Sequence, residues 1–237
     1  MSSTNAAGRK AGVLYLLTLI LAPFNHIYIA GRFIVPGDAA ATARNIRADE
    51  LLYRVGVLSG LASEIVFLFL ALSLYGLLKD VDRKNARLML TLVAVGVAFG
   101  LVNLLNQSAP LILLNGSDFA SAFTGPQVDA LASAFLRLRT SGVYIAMAFW
   151  ALWLFPFGAL VIKSGFFPKL LGILLIIGGF AYLAVSATAI LLPAQRQMVE
   201  QVTLPFYAVG ELSMIIWLLV KGANPLSTDA ARLSPNT

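Results

Sequence analysis

The chain has 237 residues, 59% of them hydrophobic and only 12% charged, with a mean hydropathy of +0.85, which excludes an ordinary soluble globular domain. The absence of cysteine and the presence of one histidine exclude disulfides, Cys-ligated zinc, iron–sulfur clusters, a thiol nucleophile and multi-histidine metal or haem sites. A net charge of +6 is spread through short connections rather than gathered on one patch, so it reads as a topology signal and not as a nucleic-acid surface.

Residues 1–10 are polar and read as a disordered tail, with Arg9 and Lys10 leading into a first span at 11–31. That opening looks like a signal peptide, but the apolar run continues past Pro23 and no A-x-A-like cleavage site closes it, so the span is retained. Pro23 frees a backbone carbonyl and is expected to kink the helix just before Asn25 and His26. A linker follows at 32–50, in which Asp38 is placed to cap a short surface helix starting in the run 39–42.

The second span, 51–78, is the one around which the rest is organised. Its part 55–78 contains no Lys, Arg or Asp and one carboxylate, Glu64, and at the helical rise it reaches roughly 36 Å, enough to cross the hydrocarbon core. Gly56, Gly60 and Glu64 share one helical face, where the small residues allow a neighbour to approach. An ionised carboxylate at that depth is costly unless it faces protein or water. Glu64 is therefore a candidate functional residue, expected to hold its proton unless Arg137, Arg139 or water reaches it.

The third span, about 87–114, puts Gly96, Gly100, Asn103 and Gln107 on one face, with Asn106 close by. The longest connection, 115–140, reads as an interfacial helix opened by Gly125-Pro126 and ended by Arg137 and Arg139. Span four follows at 141–162 with Pro156 inside it. Span five, 170–192, has Gly178-Gly179 as a close-packing point. A loop over 193–205 precedes span six, 206–220, which carries a second intramembrane acid, Glu211. Residues 223–237 read as a disordered tail.

The expected fold class is thus all-α: a single six-helix transmembrane domain over 11–222 with short interfacial helices on the outer face. Six spans put both termini on one side, and every lysine falls in a tail or loop on that side. The expected location is the bacterial plasma membrane with both termini cytoplasmic.

Val35-Pro36-Gly37-Asp38-Ala39-Ala40-Ala41-Thr42-Ala43-Arg44-Asn45-Ile46, Asn103-Leu104-Leu105-Asn106-Gln107 and Gly210-Glu211-Leu212 together resemble an uncharacterised bacterial membrane family, domain-of-unknown-function family 4386 (DUF4386). The resemblance covers roughly 11–222 and implies a multi-span bacterial membrane protein, without an activity or catalytic residues to carry over. Similar proteins commonly have a histidine near the position of Arg139, so the resemblance supports no proton-transfer role there.

Counting along each span places Glu64, Asn25, His26 and Asn103 at similar depth, with Asn106 and Gln107 further out and Glu211 deeper. The expectation is a polar pocket open to the outer face and rimmed by Arg137 and Arg139, binding or transporting a small molecule, lipid or cation, with the bilayer as the general partner. Asn103, Asn106 and Gln107 also suit plain interhelical hydrogen bonding, and His26 suits a core position. The alternatives are a membrane-embedded enzyme using Glu64 and His26 as an acid/base pair, or a structural or regulatory subunit. No cofactor or metal is expected, because no H-E-x-x-H spacing or phosphate-binding loop occurs. Oligomeric state is not legible.

Overall fold

The computed structural model describes residues 3–116 and 121–223, and among these every regular element is helical. Helix α1 (Ser3–Pro23) runs through a π-helix (Phe24–Ile29) into the short α2 (Ala30–Phe33). There follow α3 (Ala39–Ala48), α4 (Glu50–Leu78), α5 (Arg83–Asn115), α6 (Gly125–Leu152), α7 (Leu154–Lys163), α8 (Lys169–Leu191) and α9 (Arg196–Val220). Among the described residues six stretches are long and apolar enough to cross a bilayer: Thr4–Phe33, Glu50–Leu78, Arg83–Asn115, Gly125–Lys163, Lys169–Leu191 and Arg196–Val220. In hydrocarbon each backbone group needs a partner within the chain, which a helix supplies, so such a sequence folds as a multi-pass helical membrane protein.

Local chemistry sets the helix starts. The Asp38 carboxylate accepts the Ala41 N–H at 2.8 Å and caps α3, just after Gly37 takes the left-handed conformation at φ +83°. Asp82 accepts the Asn85 N–H at 3.1 Å and caps α5. At α6 the Gln127 side chain reaches back to the Thr124 N–H at 2.8 Å, half of a capping box, with Pro126 in the first turn where a missing N–H costs nothing.

Several expectations change. The tail expected over 1–10 is helical from Ser3, and the contacts at its start explain this: Arg9 donates to the Val220 carbonyl at 3.2 Å, and Gly8 and Gly12 lie so close to Ala223 and Leu218 that a Cβ at either would overlap them. The interfacial helix expected to end at Arg139 is instead the first half of α6, which is continuous to Leu152. The break comes there because Pro156 has no N–H to give to the Leu152 carbonyl. Of the short interfacial helices expected, α3 stands as its own element between α2 and α4. The loop expected over 193–205 is also largely helical: α9 begins at Arg196 and carries Pro205 within it, as membrane helices tolerate. The tail expected over 223–237 lies outside the described residues after 223.

The chain divides into two compact units, and the boundaries fall within helices α1, α4, α5 and α6. The first unit comprises Met1–Leu16, Val66–Gly96 and Tyr144–Thr237; the second comprises Leu17–Ile65 and Val97–Val143. In the first, Trp153 is buried against Phe67, Tyr15 and Phe157, with ring centroids 5.1–5.9 Å apart. Glycines there let backbones meet: a Cβ on Gly158 would overlap the Gly172 carbonyl, and the reverse holds for Gly172. In the second unit, Ile29, Phe33, Ile46, Tyr53 and Leu136 form the core that holds α3 in place.

Candidate functional site

The second unit gathers most of the predicted polar residues, and three glycines make this feasible. A Cβ on Gly60 would overlap the Asn25 amide, one on Gly100 the Glu64 carboxylate, and one on Gly142 the Asn103 amide. Each helix thus offers a bare patch of backbone to a polar side chain from another: α4 to the π-helix, α5 to α4, and α6 to α5. The spacing Gly56, Gly60, Glu64 works as read from the sequence, with Gly56 against Ile29. Gly100, Asn103 and Gln107 do likewise on α5.

The π-helix over Phe24–Ile29 directly follows Pro23 and carries both Asn25 and His26. One extra residue in a turn redirects the side chains that follow, which is why such turns recur where polar groups must converge. Here they converge on Arg139.

Arg139, expected at a pocket rim, is 5% exposed and stands inside α6. Its Nε donates to Gln107 Oε1 at 2.9 Å, and its Nη2 donates to Asn25 Oδ1 at 2.7 Å. The same Nη2 approaches His26 Nδ1 at 3.2 Å; a guanidinium only donates, so Nδ1 accepts and the ring proton belongs on Nε2. The Arg139 carbonyl accepts from Asn103 Nδ2 at 3.0 Å, and Asn103 Oδ1 accepts from Asn106 Nδ2 at 3.1 Å. Tyr53, which sequence reasoning missed, closes the set by donating to the Gln107 carbonyl at 2.7 Å. Arg137 is exposed and takes no part.

This network ties the π-helix, α5 and α6 together through one buried cation whose side-chain partners are neutral, and Tyr53 joins α4 to α5 beside it. Each added interhelical bond stabilises a membrane fold by about 0.6–2 kcal/mol. The cleft beside it, lined by Ile29, Tyr53, Gln107, Leu136 and Arg139, is too narrow to admit a water molecule. At this cleft the polar side chains pack against one another as a core.

Glu64 is different. It is half-buried with its carboxylate against the Gly100 backbone. Among the described residues it has no hydrogen bond and no ion pair; the ion pairs there are Arg47–Asp129, Arg54–Glu50 and Lys163–Asp82. In particular no hydrogen bond joins it to His26, as an acid/base pair would require.

Glu211 belongs to the first unit. It accepts the Tyr15 hydroxyl at 2.9 Å, and the Tyr182 phenol lies near the same carboxylate. Tyr182 stacks on Tyr207 with ring centroids 4.1 Å apart and meets the edge of Trp150 at 6.4 Å. The tyrosines gave no sequence signal beyond being aromatic residues in apolar runs. Outside the spans, the Lys163 ammonium donates to Asp82 at 2.7 Å, and this bond, with the Asn85 N–H, holds the Asp82 carboxyl down at about 2.

A family model described as "Domain of unknown function (DUF4386)" matches residues 10–222, most of the chain. No curated protein and no solved structure matches it.

Proposed function

We propose a function from the premise that the chain belongs to the DUF4386 family, a multi-pass membrane protein of six spans whose family description names no activity: it binds a proton or a small cation at Glu64. The observation that carries this is the contrast within one unit. Asn25, His26 and Gln107 each meet the Arg139 guanidinium, and Asn103, which holds Asn106, donates to the Arg139 carbonyl, whereas the Glu64 carboxylate has no hydrogen bond among the described residues. A carboxylate in a membrane span without a partner is a costly arrangement, and a bound proton or cation supplies what the protein does not. Glu211, bonded to Tyr15, is a second acid of the same kind with part of its demand already met. The remaining polar residues hold the helices in register for Glu64.

In this reading the protein lies in a bacterial plasma membrane with both termini and the loop 79–82 cytoplasmic, as the lysine distribution favours, and α3 lies on the outer face. Glu64 then takes its proton or cation from within the spans, as a carrier or a receptor of that ion. The test is a comparison of wild type with Glu64→Gln, measuring the melting temperature across pH and with added sodium, potassium, magnesium or calcium chloride. Stabilisation by acid or by one cation in the wild type, absent in the variant, supports the reading. Equal responses in both proteins refute it.

A further inference from the structure

The second unit has one more feature that the Glu64 reading does not use. Between α4 and α5 runs a groove of about 360 Å³, lined by Arg54, Leu58, Leu61, Ser108, Leu111 and Ile112, at the lower end of the volume range of ligand sites. Its walls Leu58 and Ile112 are 62% and 63% exposed. In a membrane-spanning stretch, side chains exposed to that degree face acyl chains, so the groove is entered from the lipid and not from water. From Arg54 to Leu61 it follows α4 for about 10 Å. The Ser108 hydroxyl gives its proton to the Leu104 carbonyl at 3.0 Å, which leaves the deep end apolar in effect.

The mouth is charged: Arg54 lines it, and its partner Glu50 stands one turn away on α4. Arg54 Nε and Nη2 both donate to Glu50 Oε1, at 2.7 and 2.6 Å, and Asn115 Nδ2 donates to Glu50 Oε2 at 2.9 Å. The guanidinium keeps further N–H groups directed elsewhere, and the carboxylate keeps further lone pairs. A cation and an anion held side by side at the head of a chain-wide apolar groove match a lipid whose headgroup carries the opposite pair. We propose that this groove binds a phospholipid with a primary-amine headgroup, of the phosphatidylethanolamine type: the phosphate accepts from Arg54, the ammonium donates to Glu50, and one acyl chain lies along Leu58, Leu61 and Ile112. A phosphatidylcholine offers the same charges but no ammonium N–H, and a phosphatidylglycerol brings an anion to Glu50 with nothing to offset it. The inference is independent of Glu64.

The experiment reconstitutes the full-length protein in nanodiscs of equimolar phosphatidylethanolamine, phosphatidylcholine and phosphatidylglycerol, then releases it in mild detergent and weighs the retained lipid by native mass spectrometry. One charge-assisted hydrogen bond corresponds to roughly tenfold enrichment of phosphatidylethanolamine over phosphatidylcholine. Glu50→Gln should remove that discrimination, and Arg54→Gln should lower retention of phosphatidylethanolamine by a similar factor. Leu58→Trp, which fills the groove and leaves both charges in place, should lower retention of all three lipids and serves if a charge variant fails to fold. Retained lipid at the bulk ratio, a preference for phosphatidylglycerol, or an unchanged profile in Leu58→Trp would each overturn the proposal.

Discussion

The two units each hold one carboxylate deep in a helix, and they treat it in opposite ways. In the first, Glu211 accepts a phenol proton from Tyr15, which is itself buried beside Trp153, and has Tyr182 close by. In the second, Glu64 lies against a glycine backbone and has no hydrogen bond among the described residues, although Asn25, His26 and Gln107 of the same unit all meet the Arg139 guanidinium. The difference teaches that polar density does not decide whether a membrane acid is satisfied. What decides it is whether a donor points at it. Arg139 has donors, but Asn25, Gln107 and His26 take them.

The largest effect should come from the hub of the second unit. Arg139→Met keeps an unbranched apolar stem but leaves Asn25 Oδ1, Gln107 Oε1 and His26 Nδ1 without their donor. The loss should be about 2–5 kcal/mol in a denaturation series in mixed detergent; a loss below about 1 kcal/mol would mean that the network is not what joins the helices. Gly60→Ala should come next. Its methyl group would overlap an Asn25 amide that Arg139 holds in place, an overpacking cost of about 1–3 kcal/mol, and replacing Asn25 with Ala in the same chain should recover part of it.

The first unit gives smaller numbers. Tyr15→Phe removes one donor from Glu211 and should cost about 0.6–1.5 kcal/mol. A stability unchanged by this substitution would erase the contrast between the two acids. Smallest of all is the exposed pair Asp82–Lys163. Because the Asp82 carboxyl is held at about 2, below its ordinary 3.8, its contribution is fully present above the ordinary value and is lost as the pH falls towards 2. The melting-temperature gap between wild type and Asp82→Asn should therefore stay level from neutral pH to about 5 and close between about 4 and 2.

Much of this fold was legible in the chain because the bilayer leaves few choices: six apolar runs, Asp38 before a short helix, and glycines and amides at helical spacing each led to the element found. Arg139 was misplaced for an equally physical reason. Taken alone, a guanidinium in a span is so costly that two arginines in a row of polar residues read as the end of a helix. The acceptors that relieve the cost come from positions 114 and 32 residues away, and no local pattern joins them. The same holds for Tyr15 and Glu211, 196 residues apart. Pro23 announced a distortion at Asn25 and His26, but not that the chain would answer with a π-helix. For Glu64 the chain showed that its own span offers no cation, and among the described residues no hydrogen bond reaches it from another span.

The most direct test of the central claim is an infrared difference spectrum of the carboxyl stretch, recorded on acidification and on cation addition for wild type, Glu64→Gln and Glu211→Gln. The account predicts a carboxyl band in the wild type that responds to proton or cation, is missing from Glu64→Gln and persists in Glu211→Gln. A responsive band that survives in Glu64→Gln would contradict it.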